Sequence, residues 1–283
     1  MIRVAVGPWP ASGFRRDVGF VSTRCRGIDF LASSFVGPSL VHYLPIVTTI
    51  AAALFTSVLY RHWRRRPGAR YLLWWMIGIA LYGVGTLTEA LTTTLGWSEP
   101  VFRSWYIAGA LLGAAPLAQG TVYLLLPRRI ADRLAVAVVT YIAMASAFVV
   151  ATPILYDLVE PHRLSGEVMA WQWVRLFSPL VNLYAVVFLI GGAIWSAIRY
   201  KRRGESGARV RGNVLIAVGA ILPGVGGSFA RAGVVEVLYV TELIGLILIW
   251  AGYRVIAGDT GESVHVTQRS QVSNETTTRE ATS

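Results

Sequence analysis

Two glutamates stand inside long apolar runs, Glu89 and Glu242. An ionised side chain at the centre of a bilayer costs about 2.5 to 3.5 kcal/mol on insertion scales, so one that is retained usually faces a bundle interior or a wet cavity. Tyr82, Gly85 and Thr86 share the helix face of Glu89 at i−7, i−4 and i−3, and Tyr239 and Gly245 flank Glu242 at i−3 and i+3. With a rise of 1.5 Å per residue, both carboxyls fall roughly 8 to 12 Å below the same surface. Carboxyls at that depth can carry a proton, join nearby arginines in a site of mixed charge for a zwitterionic or anionic ligand, or act as general acid and base if they come close together.

Positive charge reaches the same layer from Arg103, Arg175 and Arg231 at the ends of three other apolar runs, with His42 at the end of a fourth. Arg103 and Tyr106 lead a helix face that continues through Gly109, Gly113, Pro116 and Gln119, while Arg175, Ser178 and Asn182 share a face of their own. The candidate ligand-binding set is Glu89, Tyr82, Arg103, Tyr106, Gln119, Arg175, Asn182, Tyr239 and Glu242. Plainer roles exist for each. A membrane glutamate can hydrogen-bond a neighbouring helix, arginines at span ends snorkel to headgroups, and His42 fits an interfacial position. Trp74, Trp75, Trp97, Trp105, Trp171 and Trp173 cluster at span ends as an aromatic belt.

The elements that position these residues follow from composition. Of the 283 residues, 54% are apolar and 14% charged, against roughly a quarter charged in a soluble domain. Runs long enough to cross about 30 Å of hydrocarbon fall near Leu40 to Tyr60, Tyr71 to Thr94, Tyr106 to Leu126, Leu134 to Ile154, Val174 to Ile198, Val214 to Phe229 and Val234 to Ile256. The fold class is therefore all-α, a polytopic bundle of seven transmembrane helices over residues 38–257.

Arg61, Arg64, Arg65, Arg66 and Arg70 follow the first span, Arg128, Arg129 and Arg133 the third, and Arg199, Lys201, Arg202, Arg203, Arg209 and Arg211 the fifth. The positive-inside bias puts these loops in the cytoplasm, with the N-terminus outside and the C-terminus inside. Glu99, Asp157, Glu160, Glu167 and Glu236 lie in the opposite loops. Residues 1–37 disagree, because Arg3, Arg15, Arg16, Arg24 and Arg26 would lie outside. That segment is expected to be disordered, or to precede the true start of the protein. Residues 258–283 lack apolar periodicity and are expected to form a disordered cytoplasmic tail.

Pro45 with Gly68-Ala69-Arg70 and Pro179 with Gly207-Ala208-Arg209 occupy matching places. The match suggests a three-one-three repeat of residues 40–126 and 174–256, a transporter-like plan. The Pro-Gln dipeptide of small sugar-transporter repeats is absent. Gly219 to Gly227, with Pro223 inside, predicts a kink or break in the sixth span.

Several chemistries are excluded. Seven spans with an outside N-terminus resemble the microbial rhodopsins in topology only, because the one lysine, Lys201, lies in a loop and cannot link retinal. Four scattered histidines provide neither a haem ligand pair nor a membrane zinc site. The single cysteine, Cys25, allows no internal disulfide. No cofactor and no nucleic-acid partner are expected. The net charge of +11 is explained by loops beside anionic lipid, and arginine in place of lysine suggests a GC-rich prokaryotic genome and its plasma membrane.

The expected partners are the lipid bilayer and a small-molecule ligand. The leading expectation is a small-solute transporter or ligand sensor with an outward-facing polar pocket. Alternatives are an intramembrane enzyme acting on a lipid or isoprenoid through its carboxylates, and a structural or assembly subunit.

Overall fold

The structure is a computed structural model that describes residues 40–204 and 207–280, with side chains to residue 258. Residues 1–37, with their expected disorder, lie outside the described residues. Seven helices are long and apolar enough to span a membrane: α1 (Leu40–Arg65), α2 (Arg70–Leu95), α3 (Glu99–Leu125), α4 (Arg128–Ala151), α5 (Gln172–Arg202), α6 (Gly207–Arg231) and α7 (Val235–Gly258). No strand occurs among the described residues. The helix ends that meet at the turns after α1, α3 and α5 carry the arginine clusters and define a basic end. The connections after α2, α4 and α6 define an acidic end.

Six helices close a ring in the order α1, α2, α3, α5, α6, α7, with α7 back against α1, while α4 lies outside against α3. Burial is highest in α3, where 56% of the central residues are buried, and lowest in α4 and α6, at 22% each. Leu54, Val136, Leu180 and Leu183 are exposed, as lipid-facing side chains must be. Since lipid tails are as apolar as leucine, helix association here depends on close packing and hydrogen bonds.

All six ring helices contribute to one apolar cluster in the basic half. Its centre is Phe55 and Leu59 of α1, Leu72 and Ile79 of α2, Leu117 of α3, Leu189 of α5, Ile216 of α6, and Leu246 and Ile249 of α7. Trp250 stacks on Phe55 with ring centroids 5.3 Å apart. A second cluster, with Phe102, Leu111, Val149, Met169 and Val174, ties the acidic half of α3 to α4 and to the start of α5.

The sequence predicts a kink or break in α6; the helix is not broken there, running continuously through Pro223. The interruption falls in α3 instead, where a π-helical turn over Tyr106–Leu111 precedes a non-helical step at Leu112 to Ala114. Pro116 lacks the N–H that would bond the Leu112 carbonyl, so regular helix cannot continue through this step. A second π turn, Val186–Ile190, lies in α5. The glycines of α6 serve contact with α7: a Cβ on Gly219 would lie 2.6 Å from the Gly245 carbonyl oxygen, and one on Gly212 2.9 Å from that of Gly252. These small residues, one heptad apart, bring the two backbones together.

The seventh helix continues past the span to Glu280, where composition predicts a disordered tail. A helix already nucleated by a span extends at little cost per residue, and hydropathy alone does not reveal this.

Candidate functional site: a carboxyl pair beneath a polar cleft

Glu89 on α2 and Glu242 on α7 meet inside the ring, each carboxyl within hydrogen-bonding reach of the other. Glu89 is 5% exposed. Its Oε1 accepts a hydrogen bond from Trp105 Nε1 at 3.0 Å, and its Oε2 is buried without a donor. Tyr82 donates its hydroxyl proton to the backbone carbonyl of Glu242 at 2.9 Å, fixing α2 against α7 one turn below. Tyr239, itself 5% exposed, sits one turn from Glu242 on α7, near both carboxyls and the Thr93 side chain.

Among the described residues, no guanidinium or ammonium pairs with either carboxyl. Two unit charges about 4 Å apart repel by roughly 4 kcal/mol at an effective dielectric of about 20, so the doubly ionised pair is unstable without an added positive charge. Two carboxylates also present only acceptors to one another, so one proton is needed to make their contact a hydrogen bond.

Above the pair, toward the acidic end, a polar cleft of about 410 Å³ is lined by His42, Glu160, His162, Arg163, Glu236 and Tyr239, among others. Tyr239 belongs to both features. Its ring meets the His42 ring edge-on at 6.0 Å, and His42 Nε2 lies 3.7 Å from Glu236 Oε1. The α4–α5 connection forms the rim: Arg163 binds Glu160 at 3.0 Å and the Ala230 carbonyl at 3.5 Å, and Trp97 N donates to the Pro161 carbonyl at 2.8 Å.

Compared with protein-family profiles, with curated proteins and with solved structures, the chain gives no significant match. The site must therefore be read from its own residues.

Of the nine candidate residues, Glu89, Tyr82, Tyr239 and Glu242 come together. Tyr106 and Arg175 form an adjacent group between α3 and α5: the guanidinium of Arg175 lies near the Tyr106 hydroxyl and donates to Gln172 Oε1 at 2.9 Å. Tyr106 also packs against Trp105, with ring centroids 6.1 Å apart.

The other three do not join the pair. Arg103 turns toward α4, donating to Glu99 Oε1 at 2.8 and 2.6 Å, to the Thr152 carbonyl at 2.9 Å and to the Val149 carbonyl. Its charge is consumed there. Gln119, fully buried, sits toward the basic end, donating to the Ala131 carbonyl at 2.9 Å and accepting from the Tyr184 hydroxyl. Asn182 is exposed on α5. The sequence reading placed Trp105 in the aromatic belt and passed over Thr93, Glu160, His162 and Arg163. The signal for Trp105 is its place next to Tyr106, immediately before the π turn. The loop residues gave no periodic signal at all.

Proposed function

We propose that this chain is a multi-pass protein of a prokaryotic plasma membrane, its acidic end outside, that admits a small polar solute to the cleft above the carboxyl pair. The observation that carries this reading is the double placement of Tyr239, which floors the cleft and borders Glu89 and Glu242. Occupancy of the cleft and the state of the pair are thereby in contact. Two carboxylates line the cleft against one guanidinium, and that guanidinium is already bound to Glu160. A solute with an amine or quaternary ammonium group suits this lining and the Tyr239 ring, which attracts cations through its π face. The purely anionic ligand suggested by Arg103 loses its support, because Arg103 is bound elsewhere.

Transport is the preferred form of the reading. A ring of α1–α3 and α5–α7 with α4 outside is in keeping with a three-one-three plan, and the apolar plug of the basic half gives the site access from one side only, as an alternating-access carrier requires. The enzymatic alternative retains its paired carboxyls but loses the arginine it needs for a lipid phosphate.

The test is solid-supported-membrane electrophysiology on reconstituted protein with ammonium, choline and neutral amino acids as probes. At least one probe is expected to give a saturable current, with its apparent affinity weakened about tenfold or more in Glu236→Gln, the usual scale for losing a charged hydrogen-bond partner. No saturable current or binding with any probe would defeat the reading.

A further inference from the structure

We infer that Glu89 and Glu242 hold one shared proton, exchanged with the aqueous phase at the acidic end by way of Tyr239. The direction of exchange rests on the outward-facing cleft proposed above; the shared proton does not.

Three observations carry the inference independently of the solute. First, Glu89 is 5% exposed and no protein group donates to its Oε2, a buried acceptor that a proton shared between the two carboxyls satisfies. Second, among the described residues the groups facing the pair supply no compensating cation. From α2 come Tyr82 and Thr93, from α3 the Trp105 indole already given to Glu89, and from α7 Tyr239 and, farther out, Glu236. From α1, Thr49 is bound to Thr86 at 2.9 Å and His42 lies beyond the Tyr239 ring against Glu236. From α6, Arg231 approaches Tyr106 rather than the pair. Arg103 and Arg175 are engaged as described.

Third, the surroundings are asymmetric. Toward the basic end lies the apolar cluster of Phe55, Ile79, Leu246 and Ile249, where the nearest hydroxyls are already engaged, Tyr82 on the Glu242 carbonyl at 2.9 Å and Tyr253 with His62 Nδ1 at 2.6 Å. Toward the acidic end stands the Tyr239 phenol, one turn from Glu242 on α7 and part of the cleft lining. A hydroxyl there can donate its own proton on one side while accepting one on the other. The pair therefore communicates with one surface. Uptake adds one proton from water to the doubly ionised pair, and release returns it to water, with no other group consumed. A solute carrying positive charge into the cleft would favour release, which makes the arrangement suited to exchanging a proton for a cation.

The experiment is infrared difference spectroscopy during a pH titration of the full chain in nanodiscs, reading the C=O stretch of protonated carboxyls, together with proton counting after a pH jump. The wild type is expected to show one protonated carboxyl per chain that is lost on raising the pH. Glu89→Gln and Glu242→Gln are each expected to lose that band, because the new amide donates to the remaining carboxylate. Glu236→Gln keeps it. Tyr239→Phe keeps its amplitude and slows its exchange. The inference is overturned if the wild type releases no proton, if either Gln variant retains the band, or if sodium at fixed pH displaces it, which would mark a metal-cation site. The wild-type count stands even where a variant fails to fold. A band without solute currents would defeat the solute reading alone; currents without a band would defeat the proton alone.

Discussion

The acids at the ends of the bundle and the acids inside it keep different company. At the basic end Asp132 accepts from Arg70 and from the Tyr123 hydroxyl at 2.6 Å. At the acidic end Glu99 accepts from Arg103 and from the Tyr156 hydroxyl at 2.6 Å. Each of these two acids thus has a guanidinium and a phenol drawn from other turns or helices, and each ties the α4 side of the bundle to α2 or α3. Glu89 and Glu242 have an indole N–H and one another. An acid satisfied by a fixed cation has nothing left to offer a ligand, whereas an acid facing another acid must take its positive charge from something mobile. The same residue type serves as an anchor in one place and as a receiver in the other.

The largest test of this contrast is Arg103→Ala. It strips Glu99 of its cation and leaves the Val149 and Thr152 carbonyls unpaired where α3 meets α4, on a side chain only 17% exposed. Losing hydrogen bonds to a charged group of this kind costs roughly 2 to 3 kcal/mol, read as a lower unfolding midpoint in detergent. Next come Glu89→Gln and Glu242→Gln, for which the opposite sign is expected. A Gln at either position keeps the shape, can donate to the remaining carboxylate, and removes a like-charge contact, so stability is held or raised by about 1 kcal/mol while site function is lost, the trade-off typical of functional groups. If both Gln variants destabilise as much as Arg103→Ala, the pair is an anchor like the others and the contrast collapses.

A smaller effect separates the two kinds of acid by pH. By accepting its hydrogen bond, the Glu99 carboxylate holds the Tyr156 phenol above the usual phenol range. The neutral phenol is the favoured form, so this contribution is fully present below the ordinary phenol value and is lost only as pH rises through the raised one. Between about pH 6 and 9, well under the reference value near 10, the Glu99 cluster is silent. A conformational response in that window, followed by tryptophan fluorescence, is expected to be unchanged in Tyr156→Phe and absent in Glu89→Gln. The reverse pattern would assign it to the terminal acids.

The sequence made the spans legible because hydropathy and loop charge are local properties: all seven helices lie where the apolar runs predict, within a few residues at most ends. The equal depth of Glu89 and Glu242 was also legible, since helix rise converts position into depth. What failed was partner choice. The third span was expected to start at Tyr106, which put Glu99 in a loop; in the structure the helix starts at Glu99, so Glu99 and Arg103 become an i,i+4 pair and the arginine is taken. Gln119 was assigned to the pocket by its helix face, but the non-helical step at Leu112 to Ala114 breaks the face that Tyr106 and Gln119 would share. The cleft was invisible because its rim comes from the α4–α5 connection, whose position no periodicity records.

The smallest expected effect belongs to Arg70 and Asp132, and it matters because it isolates exposure from pairing. Their side chains are 43% and 42% exposed, against 17% for Arg103, though the chemistry of acid, guanidinium and phenol is the same in both clusters. Exposed pairs gain little over their hydrated separated ions and are screened by salt. A double-mutant cycle on Arg70→Ala and Asp132→Ala should therefore give a coupling well below the loss from Arg103→Ala, and raised salt should remove most of it. A salt-insensitive coupling as large as the Arg103 effect would mean that pairing alone sets the strength of these anchors, whatever their depth. The absence of a cation at Glu89 and Glu242 would then be the only property that distinguishes them, and their burial would add nothing.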